Sequence, residues 1–285
     1  MLDLAKSGIN IWYNISMDNY LIDTHCHLHD AEWFTPEQAE EFLQEAAEQN
    51  VRQVIVIGTD PEDAAKAQEF AQKHADVYWT YGIHPENAGK YPLEQLITSV
   101  KTQLLASHEK LVAIGEIGLD YHYEGYINKA AQIELFEQML QLAQDLGLPV
   151  SLHIREREAF ADAWAVLENF PKITGVVHSF TGSKQELKRA LAREFYIGAN
   201  GLVTYSTLPL PPLEKMLLET DAPFLTPEPF RGTINKPGYV RNIASYLAEK
   251  MGVAEVNIAE QTTKNARQLF QLGKPSLCAG GSTGV

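Results

Sequence analysis

Eight short β-rich runs, most of them followed by a segment with helical periodicity, constrain the fold of this chain more than any other feature. The runs begin near Leu21, Val51, Tyr78, Leu111, Leu148, Gly175, Phe195 and Met216. Several of them, such as VIVIG and LVAIGEIG, are almost continuously apolar, as a sheet buried on both faces requires. Eight strands alternating with helices favour an α/β barrel of the TIM (β/α)8 type over an open doubly wound sheet.

The link between the seventh and eighth strands departs from this regular pattern. It contains STLPLPP at residues 206–212, and three prolines are incompatible with an ordinary crossover helix. A parallel connection normally needs about a dozen residues or more, which this segment barely reaches. We therefore expect the helix between these two strands to be missing or reduced to a turn.

The length of the chain suits a single barrel domain. With 285 residues and 45% hydrophobic content, it can bury one large core, and barrels of about 250 residues form one domain. We assign the barrel to residues 20–272. Residues 1–19 are expected to be an N-terminal extension, and residues 273–285, GKPSLCAGGSTGV, a disordered tail.

The composition of the chain limits the cellular environment and the binding partners that we expect for it. The formal net charge of −14 argues against broad adhesion to nucleic acid, although bound divalent cations would supply local positive charge. Two cysteines give no disulfide framework and fit a reducing cytoplasm. The first twenty residues lack a signal-peptide pattern, and no apolar run is long enough to cross a bilayer. We expect a cytoplasmic protein with no membrane contact, and no obligate protein partner is evident.

Metal-binding side chains stand at the ends of five of the runs. A parallel barrel gathers the C-terminal ends of its strands on one face, where its active site lies. Alternation along the first strand places both histidines of HCH on one face and the intervening cysteine on the other. Four imidazoles and two carboxylates that converge are typical of a dinuclear metal site for hydrolysis. The candidate ligands are His25, His27, Glu116, His153, His178 and Asp221.

Each candidate ligand also has a structural interpretation. A lone strand histidine is more often a satisfied core residue, and Glu116 could belong to a buried salt bridge. Five strand ends that behave alike favour the metal site over five separate explanations. Cys26 is interpreted as a small buried filler. Glu219 lies on the same side of its strand as Asp221 and is expected to orient a ligand.

Five further residues near strand ends are candidates for substrate contacts. Arg155 lies two residues after His153 and could neutralise a phosphoryl oxygen, with a surface salt bridge as the alternative. His84 ends the third strand, and its alternative is an ordinary loop histidine. The loop after the eighth strand supplies phosphate contacts in many barrels. Its candidates are Arg231, Asn235 and Tyr239.

Seven segments resemble, in order, the successive motifs of TatD-type deoxyribonucleases in the metal-dependent amidohydrolase superfamily. They span about Tyr20 to Leu272 and read DTHCHLHD, GIHPE, GEIGLDYH, LPVSLHIR, VVHSFTGS, LLETDAPFLTP and RGTINKPGYV. The resemblance implies a barrel phosphoesterase with two divalent cations, which could be Mg²⁺, Mn²⁺ or Zn²⁺. One cation would be held by His25, His27, Glu116 and Asp221, and the other by Glu116, His153 and His178.

The resemblance further implies a 3′→5′ exonuclease acting on DNA, with single-stranded ends as the expected substrate. In the expected mechanism the two cations share Glu116, and Asp221 accepts the proton of the attacking water. Two alternatives stay open. The first is a hydrolase of small esters, amides or lactones, which the acidic net charge favours, and the second is an inactive binding scaffold. The chain departs from the family pattern at His29, where an acidic residue or Asn is usual, at Arg157, where a small residue is usual, and at the short link.

Overall fold

The eight strands form one parallel sheet in which each strand pairs with the next along the chain. This computed structural model describes residues 19–90, 92–106, 108–122 and 128–275. Every strand begins within two residues of its predicted start, so the predicted barrel is confirmed. The strands are β1 Leu21–Cys26, β2 Val51–Gly58, β3 Val77–Tyr81, β4 Leu111–Asp120, β5 Val150–Arg155, β6 Gly175–Val177, β7 Tyr196–Ala199 and β8 Met216–Leu218.

Six helices alternate with the first six strands, and two more follow the last strand. Their ends carry the expected local signals: Thr35 and Gln38 form a capping box, Asp60 and Ser183 cap two further helices, and Gly147 ends one at φ 66°. The helices are α1 Pro36–Glu48, α2 Pro61–Lys73, α3 Leu93–Ala106, α4 Lys129–Leu146, α5 Arg157–Leu167, α6 Lys184–Ala192, α7 Val240–Met251 and α8 Glu255–Phe270.

The connection between β7 and β8 has no α-helix, as the three prolines predict. Two 3₁₀ turns stand in its place, at Gly201–Thr204 and Leu213–Lys215. Thr207 and Leu208 of the segment between these turns line an open groove of about 760 Å³ at the C-terminal end of the neighbouring strands. The short link therefore forms one wall of an open groove on this side of the barrel mouth.

Hydrogen bonds around the end of β8 close the ring against β1. The Asp221 amide donates to the His25 carbonyl at 2.8 Å, and the His27 amide donates to the Ala222 carbonyl at 2.8 Å. The buried Asp23 carboxylate accepts from both the amide (2.9 Å) and the hydroxyl (2.6 Å) of Thr220. This seam fixes Asp221 directly beside the two histidines of the first strand.

Apolar side chains fill the space on both faces of the sheet. Val54 and Val56 of β2 belong to the same buried cluster as Ala64 of α2. Ile55, which points to the opposite face, clusters with Leu217 of β8, on the other side of β1. Such alternation is what a strand buried on both faces requires. The rigid ring of strands provides the frame for the polar residues at its C-terminal end.

The described residues contain no helix that is both long enough and apolar enough to cross a membrane. The predicted extension and tail fall almost entirely on residues 1–18 and 276–285, outside the described residues. Their assignment and the cytoplasmic location therefore stay predictions.

Candidate metal centre

Glu116 of β4 lies at the centre of the predicted ligand cluster, with only 4% of its surface exposed. Its Oε2 is 3.4 Å from Nε2 of His25. Its Oε1 is 2.7 Å from Nδ1 of His153 and 3.5 Å from Nε2 of His178. One carboxylate thus reaches imidazoles from β1, from β5 and from the end of β6.

Asp221 completes the cluster from the end of β8. Its Oδ1 lies 3.6 Å from Nε2 of His27, 3.7 Å from that of His25 and 3.9 Å from that of His178. The backbone of Asp221 has φ 59°, and Ser179, directly after His178, has φ 46°. Non-glycine residues with positive φ are uncommon and concentrate at functional sites. All six predicted ligands are therefore brought together, and the backbone turns sharply at Asp221 and directly after His178.

Two further buried carboxylates lie behind His153 of β5 and His178, which directly follows β6. Asp120 Oδ2 lies 2.9 Å from Nε2 of His153, and Glu219 Oε1 lies 3.1 Å from Nδ1 of His178. In each ring this leaves the other nitrogen facing Glu116. A side chain at Gly198 would place its Cβ 2.3 Å from Glu219 Oε2, so the glycine makes room for this carboxylate.

The position of Glu219 agrees with its expected orienting role, whereas sequence reasoning did not assign any role to Asp120. A signal existed: Asp120 is four residues after Glu116 on the same strand, so alternation puts both on one face. A carboxylate behind a ligating histidine fixes its tautomer and raises its basicity. Both carboxylates suit this role.

Nearby charges and burial shift the pKa values of the cluster histidines in different directions. Burial alone would lower the pKa of His178, but the carboxylates of Glu219, Asp221 and Glu116 outweigh it and raise the pKa to about 10. Against the same burial, Asp120 and Glu116 raise the pKa of His153 to about 9. For His25, burial and the nearby His178 lower the pKa. Without cations, protons on His153 and His178 offset part of the carboxylate charge.

The donor atoms fit divalent cations. Nε2 of His25 is buried and has no hydrogen-bond partner among the described residues, although it faces Glu116 and Asp221. Two sets of three potential ligand atoms, each set within 4.8 Å, share Glu116: one adds His25 and His27, the other His84 and His153. Mixed imidazole and carboxylate donors suit Zn²⁺, Mn²⁺ or a partly hydrated Mg²⁺.

A cavity of about 580 Å³ opens over these donors. His84 lines it, and its Nδ1 accepts a hydrogen bond from the Glu86 amide, which leaves Nε2 as a donor 4.0 Å from Glu116. Burial and the neighbouring His153 lower the pKa of His84 to about 3, so the ring is neutral. Arg155 lines both this cavity and the adjoining groove. Both residues therefore line the cavity, and their contact with substrate stays a prediction.

The three loop candidates do not line the cavity. Arg231 is exposed, with its guanidinium 3.8 Å above the ring of Tyr205. Tyr239 stacks on Phe230 with ring centroids 4.5 Å apart. Asn235 is fully buried and its amide donates to two backbone carbonyls, those of Thr220 and Phe224.

The Asn235 prediction needs correction, because an amide held by two buried carbonyls is not available to a substrate. Its role is structural: it holds together the loop that follows β8.

A parallel barrel with such a cluster at the C-terminal end of its strands is the architecture of a metal-dependent hydrolase. Residues 22–271 match the family model for TatD related DNase. The chain belongs to the TatD family.

Relatives and solved structures agree with this assignment. The chain is 35% identical to the uncharacterized metal-dependent hydrolase YabD of Bacillus subtilis (strain 168), covering 88% of this chain and 99% of YabD. It is 36% identical to the 3'-5' ssDNA/RNA exonuclease TatD of Pantoea sp. (strain At-9b), covering 82% and 93% of the two chains. The crystal structure of YJJV, a TatD homolog from Escherichia coli K12, superposes with a TM-score of 0.79 at 30% identity, covering 90% of this chain and all of YJJV.

Proposed function

We propose that the protein hydrolyses phosphodiester bonds at single-stranded DNA ends, with two divalent cations held around Glu116. The observation that carries the proposal is the placement of Glu116, whose two oxygens face imidazoles on opposite sides of the cluster. Two-metal hydrolases hold a pair of divalent cations among such carboxylate and imidazole side chains, and Glu116 would contribute to both sites. His25, His27 and Asp221 would complete one cation site, and His153 and His178 the other.

The residues around the cluster divide the chemical work. When bound, the cations supply Lewis acidity and lower the pKa of water towards neutrality. Asp221 is ionised, since His178, His27 and His25 hold its pKa down against burial, so it can accept the proton of the attacking water. The neutral His84 can donate its Nε2 hydrogen to a phosphoryl oxygen, and Arg155 can neutralise charge that develops there.

Relatives support a nucleic-acid substrate. The relative from Pantoea is named as an exonuclease on single-stranded DNA and RNA, as is the one from Erwinia tasmaniensis, which is 34% identical. The net charge of −14 favours the competing hypothesis of a small ester or lactone substrate. Cations at the cavity floor would offset this charge locally.

An oligonucleotide assay tests the proposal. The metal-reconstituted protein is incubated with single-stranded DNA labelled at the 3′ or the 5′ end, and in parallel with a panel of lactones and simple esters. We expect stepwise release of mononucleotides from the 3′ end. Turnover of a lactone without cleavage of DNA would replace the proposal with the small-molecule alternative.

A matched pair of variants links any activity to the site. His153→Ala is expected to abolish hydrolysis with the fold retained. His108→Ala replaces a histidine that lies outside the cluster, and this variant is expected to cleave DNA normally. Normal cleavage by purified His153→Ala would contradict the site assignment. Metal content near zero in the active protein would contradict the two-cation proposal.

A further inference from the structure

Two aromatic side chains remain exposed beside the cavity. Trp33 is 46% and Phe224 is 45% exposed. The two rings contact each other edge to face, with centroids 5.2 Å apart and an angle of 77° between their planes. Nearly half of each large apolar surface therefore faces water, which is unfavourable unless something covers it.

The pair stands directly beside the candidate ligands. Phe224 lines the metal cavity, and its ring centroid lies 6.4 Å from that of His27. The Phe224 amide donates to the Asp221 carbonyl at 2.8 Å, within the same tight turn. A group that stacks on these rings would thus lie next to a phosphate bound at the metal centre.

The backbone that carries each ring is anchored by buried neighbours. The carbonyl of Phe224 accepts from the buried Asn235 amide, and the Asn235 backbone amide donates to the Pro223 carbonyl at 3.1 Å. On the other side, Phe34 follows Trp33 and is only 3% exposed, packing edge to face on Phe42. The backbone under both rings is therefore anchored, while the rings themselves lie on the surface beside the metal cavity.

We propose that Trp33 and Phe224 form a stacking platform for a nucleobase of the single-stranded substrate, adjacent to the bond that is cut. This inference rests on the proposed function and deepens it. Every nucleobase offers a flat π face, so stacking on aromatic rings binds single strands with little sequence preference. An aliphatic ester or lactone has no such face, so the platform matches nucleic acid better than the small-molecule alternative.

A double-mutant cycle, in which protein variants are combined with removal of a base from the substrate, tests the platform. Oligonucleotides with a normal base or an abasic residue at the terminal or the penultimate position are compared, in phosphorothioate form to slow cleavage. Binding is followed by fluorescence anisotropy, and kcat and KM are measured with the normal phosphodiester. The proteins are the wild type, Trp33→Ala and Phe224→Leu, which keeps apolar bulk but loses the aromatic face. Leu146→Ala removes an exposed apolar side chain from the far end of α4 and serves as the control.

For the wild type and the control, loss of the base at one position is expected to weaken binding about 5- to 150-fold. The ratio of the dissociation constants of the abasic and the normal strand measures this effect. In Trp33→Ala and Phe224→Leu this ratio is expected to fall towards one, with KM raised and kcat little changed. Trp33→Phe is expected to restore most of the ratio. Equal weakening of normal and abasic strands by the variants, or no base dependence in the wild type, would overturn the platform. Base-dependent binding without any cleavage would contradict the proposed function alone.

Discussion

The two sides of the metal centre are built in different ways. His153 and His178, which we call the backed pair, each have a buried carboxylate behind the ring, from Asp120 and Glu219. His25 and His27, which we call the seam pair, come from β1 and are positioned by the backbone hydrogen bonds between β1 and the end of β8. His25 has no hydrogen-bond partner on either ring nitrogen within the described part of the chain.

The comparison shows that one cluster can contain histidines whose pKa values are shifted in opposite directions. The backed pair has pKa values raised to about 9 and about 10, and Asp221 also raises the pKa of His27 against burial, whereas the pKa of His25 is lowered. Metal ligation requires neutral imidazole, so at neutral pH His25 is ready to bind and the backed pair must first lose protons. Backing carboxylates also make the backed pair more basic, hence stronger ligands once deprotonated.

The strongest test of the comparison removes the residue that both sides share. Glu116→Gln keeps the size of the side chain but takes away the charge, so both sides lose a ligand together. We expect the metal content to fall from about two ions per chain towards zero and kcat/KM to fall by about 10³-fold or more. Metal analysis of the purified variant and steady-state kinetics measure this.

Asp221→Asn provides the contrast, since it removes a ligand from the seam side alone. We expect it to retain one ion. Retention of two ions by Glu116→Gln would show that the two sides bind independently of this carboxylate.

Proton release on metal binding gives the next largest effect. Binding displaces up to two protons from the backed pair, so affinity is expected to rise about 10- to 100-fold per pH unit between about pH 6 and 8. Isothermal titration calorimetry in buffers of different ionisation enthalpy counts the protons. In His178→Gln the count is expected to drop by about one. A count of zero in the wild type would show that the backed pair is already neutral.

The folding stability of the metal-free protein should depend on pH in the opposite direction to metal affinity, falling as the pH rises. The raised pKa values of the backed pair stabilise the folded state below the unfolded histidine pKa near 6.5, and this stabilisation is lost as pH rises through about 9 to 10. The metal-free protein is therefore expected to melt at progressively lower temperature from neutral to alkaline pH.

Much of this site was accessible from the sequence because each ligand lies in, or shortly after, an apolar strand. A charged or imidazole side chain in a run such as AIGEIG has few explanations other than function, and a barrel brings all its strand ends to one face. The three prolines of the short link likewise have a local effect that needs no tertiary information.

The parts that sequence reasoning missed depend on which neighbour a side chain meets. Asn235 lies in a polar loop, and nothing in the sequence distinguishes an amide that faces substrate from one that holds two backbone carbonyls. The exposure of Trp33 and Phe224 is also invisible, because aromatic residues usually signal a core. Only the packed structure separates these cases.

Changes behind the backed pair are expected to have intermediate effects. Asp120→Asn and Glu219→Gln keep shape but remove the charge that orients His153 and His178, which typically lowers metal affinity about 10- to 100-fold. Glu249→Gln makes the same chemical change on the exposed side of α7 and is expected to bind metal normally. Competition with a metal-sensitive dye measures the affinities. Unchanged affinity in both variants would mean that the backing carboxylates do not tune the ligands.

The smallest expected effect lies on the seam side, where backbone hydrogen bonds take the place of backing carboxylates. Asn235→Ala removes no ligand atom but leaves the carbonyls of Thr220 and Phe224, on either side of Asp221, without this donor. We expect a loss of about 1–3 kcal/mol in the free energy of unfolding and only a few-fold loss of metal affinity. Asn257→Ala, at an exposed position of α8, is the matched control for denaturant unfolding. Loss of one ion by Asn235→Ala, as complete as in Asp221→Asn, would contradict this expectation. The seam pair would then depend on a buried side chain as strictly as the backed pair depends on its carboxylates. The two sides of the metal centre would no longer differ in kind.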